Sequence, residues 1–181
     1  MHKHYDAIII GAGTAGLAAL SEVRKRTDHF LIVNAGPYGT TCARVGCMPS
    51  KLLIEAANAY HRRFTFEAFG IRGSEALSVD FPAAMERLRA LRDDFVAGTV
   101  KVTDALGERS IAGHARLLGP DTVEVNGERL GAGAIIIATG SHPFAPPAWK
   151  VFGERILTPD TLFEQRQIGP RLGVVGLGPV G

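Results

Sequence analysis

Tyr5-Asp6-Ala7-Ile8-Ile9-Ile10-Gly11-Ala12-Gly13-Thr14-Ala15-Gly16-Leu17 is the stretch whose pattern decides the fold. The apolar run from Ala7 to Ile10 predicts a buried parallel strand over residues 5–10, and Leu17, Leu20 and Val23 continue it as one face of a helix. A second apolar strand is expected over residues 30–33, which completes a βαβ unit around a GxGxxG turn. In such a turn Gly11 makes the tight bend, Gly13 lets backbone approach a pyrophosphate, and Gly16 lets helix pack close to strand. The helix N-terminus then presents N–H groups and a partial positive charge to the phosphates. The end of the second strand normally carries an acid for a ribose hydroxyl, and Asn34 stands there. An amide keeps a neutral hydrogen bond and forgoes the charge-assisted one, so binding is expected to persist at reduced strength.

Downstream lies Gly39-Thr40-Thr41-Cys42-Ala43-Arg44-Val45-Gly46-Cys47-Met48-Pro49-Ser50-Lys51, which holds the chain's two cysteines. Positions five apart on a regular helix sit roughly 140° apart around its axis, so the two thiols cannot meet on one. Pro49 removes the hydrogen bond to Val45 and crowds that carbonyl, which argues against a regular helix through the loop. A distorted turn could bring both sulfurs within bridging distance. A crosslink closing so short a loop restrains few unfolded conformations and stabilises little. The pair is therefore read as a redox centre rather than a staple.

Residues 50–63 are expected to be helical, and a second helix is expected from an Asp80 N-cap with Pro82 in its first turn, running through Met85, Leu88, Leu91 and Phe95 as a packing stripe. Strands are expected over 110–118, 122–125 and 134–138, with turns at Gly119-Pro120-Asp121 and Asn126-Gly127. The proline-rich stretch 143–149 reads as a linker. A further strand over 172–175 leads into Gly176-Leu177-Gly178-Pro179-Val180-Gly181, a second GxGxxG.

Composition sets bounds on all of this. At 181 residues and 46% hydrophobic content the chain is long enough for one well-cored domain with a piece of another. A formal net charge of +2, with only the short basic runs Arg24-Lys25-Arg26 and His61-Arg62-Arg63, argues against a nucleic-acid surface. No run approaches membrane-spanning length, and the first residues do not have the form of a signal peptide, so a cytoplasmic location without membrane contact is expected. There a cysteine pair is more often catalytic than structural. A zinc site from Cys42, Cys47, His61 and another histidine does not match the usual ligand spacings, so no metal is expected.

The first fingerprint, the CxxxxC-x-Pro-Ser-Lys loop, Gly113-His114-Ala115, Ala138-Thr139-Gly140-Ser141 and the second fingerprint occur in an order that resembles the class I pyridine nucleotide-disulfide oxidoreductases. That family includes dihydrolipoamide dehydrogenase, glutathione reductase and mercuric reductase, and the Pro-Ser-Lys ending is more similar to the first and third. The resemblance implies an α/β fold: a Rossmann-like FAD-binding domain with a parallel sheet and a small antiparallel β element, over residues 1–148. Residues 149–181 would be a linker and the first strand and turn of an NAD(P)-binding domain, so that the chain stops at the start of a second Rossmann unit.

By the same resemblance Gly11, Gly13 and Gly16 would hold the FAD pyrophosphate, with Asn34 facing the adenosine ribose. Thr41 and Lys51 would lie near the flavin, His114 and Ala115 near the adenine, and Thr139 and Gly140 against the cofactor from the last strand. Cys42 would exchange with a small disulfide or dithiol substrate, and Cys47 would face the flavin. Gly176, Gly178 and Gly181 would begin the site for NAD or NADP. Thr40 stands where the family usually has a second glycine, a change expected to bear on the tilt of the loop. His61, His114 and His142 are read as surface or backbone-adjacent residues, not catalytic bases. The family's acid–base histidine and dimerisation domain would lie beyond residue 181, so a homodimer is expected of a full-length member. The chain alone is expected not to turn over, and to associate with itself through uncovered packing surface. The alternatives are a non-catalytic flavin- or nucleotide-binding module, or a mercuric or glutathione reductase-like enzyme.

Overall fold

The computed structural model describes residues 3–176 and residue 178. Strand β1 (Lys3–Ile10) and strand β2 (Phe30–Asn34) flank helix α1 (Thr14–Val23), as the apolar spacing predicts. Helices α2 (Thr41–Arg44), α3 (Cys47–His61) and α4 (Phe81–Asp104) follow, then strands β3 (Ser110–Ala112), β4 (Ala115–Leu117), β5 (Thr122–Val125) and β6 (Glu128–Ile137), and the short helix α5 (Pro159–Leu162). The strands form one six-stranded sheet in the order β3-β2-β1-β6-β5-β4. Its β3, β2, β1 and β6 members run parallel, whereas β5 is antiparallel to both β4 and β6. This is the Rossmann-like arrangement with a small antiparallel element.

Alternation along β1 and β2 sends side chains to two faces. Ala7, Ile9, Phe30 and Ile32 pack under α1 with Leu20 and Leu106. Ile8, Ile10, Leu31 and Val33 cluster instead with Val123, Val125, Leu130 and Ala132 from β5 and β6. The parallel strands are thus covered on both sides, which is what a continuous apolar run requires. A third cluster joins α3, α4 and α5 through Met85, Leu88 and Phe163, with Leu52, Leu53, Phe81 and Leu162 around them.

The elements differ from the sequence expectations at five places. Residues 110–118 are not one strand: β3 pairs with β2, and after Gly113 and His114 the chain leaves to pair with β5. A Cβ on Gly113 would lie 2.4 Å from Asn126 Oδ1, so the bend is packed too tightly for a side chain. Strand β6 begins at Glu128 rather than at 134, because Gly131 and Gly133, which weaken a strand signal, are used for close approach to His4 and the Asp6 carbonyl. Helix α3 starts at Cys47, with Pro49 in the first turn where no N–H is needed. The stripe on α4 continues from Met85 and Leu88 to Arg92, whereas Phe95, seven residues beyond Leu88 and near its face of the helix, is exposed. Residues 172–175 form no strand. No described segment supplies a ladder partner, and Leu172, Val174 and Val175 stay exposed.

The Asp80 cap is present, its carboxylate accepting from Ala83 N at 3.0 Å with Pro82 in the first turn. Beyond the irregular stretch 138–146, α5 returns to α4. Phe163 is buried against Met85 and Leu88, Arg89 donates to the Phe163 and Gln165 carbonyls, and Arg92 pairs with Glu164.

Candidate functional site: a dinucleotide cradle and a thiol pair

The carboxyl ends of β1, β2 and β6 converge on the glycine turn. Gly11 has φ +108°, a conformation that favours glycine, and a Cβ there would stand 2.2 Å from the Ala138 carbonyl oxygen and 3.2 Å from Thr139 N. A Cβ on Gly16 would meet Gly11 O at 1.8 Å, so α1 packs directly on the turn. Gly13 differs from both: a Cβ there meets nothing within 4 Å. It is the N-cap of α1 and makes no side-chain cap hydrogen bond, and the first turn contains no acidic residue. Backbone is thus bare at the point where a pyrophosphate would approach, and the helix end is electrostatically suited to it. The residues present fit an FAD pyrophosphate.

Further groups share this end of the sheet. Ala12 N donates to Asn34 Oδ1 at 3.1 Å, and Asn34 Nδ2 donates to the Gly36 carbonyl at 2.7 Å. Gly113 N donates to the Asn34 carbonyl at 2.9 Å, which brings exposed His114 and the start of β4 at Ala115 beside the end of β2. Ala138 N donates to Ile10 O at 2.8 Å, placing Thr139 and Gly140 just past the end of β6, both exposed. The structure therefore brings Gly11, Gly13, Gly16, Asn34, His114, Ala115, Thr139 and Gly140 to one end of the sheet.

A second group forms at the α2–α3 junction. Thr40 caps α2, its hydroxyl accepting from Ala43 N at 3.1 Å, so the residue expected to bear on the loop's tilt holds its first turn. The helix stops at Arg44, and α3 restarts at Cys47 with Gly46 as its N-cap. A Cβ on Gly46 would lie 3.0 Å from Thr41 O and 3.1 Å from Cys42 Cα. This close pass folds the chain back and sets Cys47 against Cys42. Both thiols are free, Cys42 half-buried and Cys47 exposed. The hydrogen bond that the Cys42 S–H donates to Cys47, with burial and the neighbouring Cys47 sulfur, pushes the Cys42 thiol above its ordinary range; the Cys47 N–H and the Lys51 ammonium oppose that shift. Thr41, Cys42, Cys47 and Lys51 thus share the α2–α3 junction.

The segment between the two groups is anchored. Tyr38 packs on the β1–α1–β2 core, its hydroxyl 3.3 Å from Ser110 Oγ. Beneath the loop lies a 140 Å³ cavity lined by Tyr38, Arg44, Val45, Arg92, Asp93 and Glu164 among others. Burial disfavours the charge on Arg92, but Asp93 and Glu164 outweigh it and hold the guanidinium protonated. Sequence reasoning missed Gly46, Tyr38 and Arg92. The glycine directly before the second cysteine was the one available signal; the other two depend on partners more than 70 positions away.

Gly176 and Gly178 are exposed and share no described hydrogen bond with either group, and Gly181 lies outside the described residues. Among the described residues no cluster of metal-ligating side chains occurs, and no helix is long and apolar enough to cross a membrane.

A doubly covered parallel sheet with a glycine cradle at its carboxyl end and a thiol pair on the next helical turn defines a dinucleotide-binding redox fold. Residues 5–181 match the family model for pyridine nucleotide-disulphide oxidoreductases, and the chain belongs to that family. It is 35% identical to a dihydrolipoyl dehydrogenase of Thermus scotoductus over 99% of this chain and 38% of that protein. It is 32% identical to a mercuric reductase of Lysinibacillus sphaericus over 98% of this chain and 33% of that protein. A HOCl-induced flavoprotein disulfide reductase from Escherichia coli, solved as a Cu(II) complex of a cysteine mutant, superposes with a TM-score of 0.71 at 20% identity, covering 92% of this chain and 35% of that one. This likeness bears on the fold. The chain spans between a third and two fifths of the length of these relatives.

Proposed function

We propose that this chain forms the FAD-binding, thiol-bearing part of a dihydrolipoamide dehydrogenase-like disulfide oxidoreductase. Electrons would pass between NAD(P)H, FAD, the Cys42–Cys47 pair and a small disulfide or dithiol. The carrying observation is the close pass at Gly46, which sets two thiols against each other on the helical turn that follows the dinucleotide cradle. Residues 1–148 are assigned to the FAD-binding domain and residues 149–181 to a linker and the beginning of an NAD(P)-binding domain. The family enzyme is expected to act as a homodimer, without nucleic-acid or membrane partners, in the cytoplasm.

Gly11, Gly13 and Gly16 hold the pyrophosphate at the start of α1, with Thr139 and Gly140 closing the site from β6 and His114 and Ala115 flanking the adenosine end. Bound FAD supplies two-electron exchange between a nicotinamide and the thiol pair. In the reductive direction the Cys42 thiolate attacks one sulfur of the substrate disulfide and releases the first substrate thiol. Cys47 then attacks the Cys42 sulfur, releases the second thiol and leaves the Cys42–Cys47 disulfide. Two electrons have moved from the protein pair to the substrate, and two protons accompany them. Lys51, whose charge favours the Cys42 thiolate, would assist the first attack, besides lying near the flavin.

The test is an anaerobic visible spectrum of the chain supplemented with FAD and titrated with dithionite. A flavin band giving way to a long-wavelength thiolate-to-flavin absorbance, lost in Cys47→Ser, is the expected result. Retained FAD without that absorbance would leave a nucleotide-binding module with no assembled redox site.

A further inference from the structure

We propose that Asn34 is a positioning residue that fastens the glycine turn in its ligand-receiving shape before any ligand arrives. Its side chain spans two loops: Oδ1 accepts from Ala12 N in the turn after β1, and Nδ2 donates to Gly36 O in the loop after β2. Its carbonyl accepts from Gly113 N, so one residue ties the ends of β1, β2 and β3. Ala12 is buried, and leaving its N–H without an acceptor is costly.

The chemistry of the side chain makes the assignment specific. An amide carries a lone pair and an N–H at the same tip, whereas an ionised carboxylate only accepts. Aspartate at this position would still take the Ala12 N–H but would set a charge against the Gly36 carbonyl. One N–H and one lone pair of the Asn34 amide remain for a ribose hydroxyl. The residue is therefore not a free ribose ligand in place of an acid. It is already bonded at both ends of its amide, and a ligand adds to that arrangement.

The fastening belongs to the ligand-free chain; only its effect on cofactor affinity rests on the FAD reading above. Amide exchange resolved at Ala12 by NMR, without added nucleotide, tests it in wild type, Asn34→Asp and Asn34→Leu, with the core amide of Ile9 as the reference for intact folding. The expected result is protection of Ala12 in wild type, most of it kept in Asn34→Asp, and exchange at least tenfold faster in Asn34→Leu with Ile9 unchanged. Equal Ala12 exchange in all three chains overturns the proposal. Should Asn34→Leu lose Ile9 protection, Asn34→Ala takes its place: Ala12 exchange at least tenfold faster than in wild type and Asn34→Asp, with Ile9 unchanged, supports the assigned acceptor, and equal Ala12 exchange in the three chains overturns it. FAD affinity from flavin fluorescence is expected to fall about tenfold in Asn34→Leu. A wild-type chain that shows the exchange pattern but binds no FAD supports the fastening and counts against the FAD reading.

Discussion

Gly46 and Cys42 approach so closely that a single methyl group on Gly46 would lie 3.1 Å from the Cys42 Cα. This backbone contact packs the start of α3, where Cys47 stands, against α2. Gly46→Ala is expected to push the start of α3 away from α2 and to make the Cys42–Cys47 disulfide about tenfold less favourable against glutathione, roughly 1.4 kcal/mol or 30 mV. Redox equilibration followed by thiol trapping measures it. An unchanged equilibrium would mean that the turn absorbs the methyl without moving the thiols.

The dithiol form should show the Cys42 thiol titrating above the ordinary range, with the hydrogen bond its S–H donates to Cys47 as the leading cause. The pH profile of alkylation at Cys42 should therefore move down in Cys47→Ala and further up in Lys51→Ala. A thiol whose folded pKa is raised stabilises the fold fully below its unfolded value and ceases to do so as pH rises through the folded value. Reduced wild-type chain should lose stability across that window, and reduced Cys42→Ser should lose less.

The glycines of the cradle divide into two kinds. Gly16→Ala drives a methyl into Gly11 O and is expected to destabilise the chain by about 1–3 kcal/mol in urea unfolding. Gly13→Ala meets no protein atom and should leave unfolding of the chain without FAD nearly unchanged while lowering FAD affinity. Equal FAD affinity in Gly13→Ala and wild type would remove Gly13 from the phosphate site.

The pair between Arg92 and Glu164 ties the segment after the proline-rich stretch to α4. Glu164→Gln keeps an acceptor for the guanidinium but removes the half-exposed charge, and is expected to cost about 0.5–1 kcal/mol of local stability. Faster amide exchange of the backbone around 161–165, with β1 unaffected, is the observation that checks it.

What was legible in the sequence was local. Tyr5 to Gly16 specifies strand, turn and helix within one βαβ unit, and Asp80 with Pro82 specifies the start of α4. The cysteine loop could be identified as bent because Pro49 and the five-residue spacing exclude a regular helix. What escaped was set by distant partners. Gly113 and Asn126 meet only because β4 returns to pair with β5, and Arg92 has its distant partner only because the segment just after α5 supplies Glu164. The Leu172–Val175 run has strand character in its residues, yet pairing depends on a neighbour that lies outside any local window. The neutral residue at the end of β2 could be noted in the sequence, but its attachment at both ends is a matter of where Ala12 and Gly36 lie.

Strand β6 is shared property. Its second half extends the parallel ladder beside β1, and its first half also carries the antiparallel ladder with β5. The antiparallel element is therefore no detachable lid. Opening it strips hydrogen bonds from the strand that closes the cradle, so the two regions are expected to melt as one cooperative unit, and a ligand at the mouth of the sheet is expected to stiffen its far flank as well.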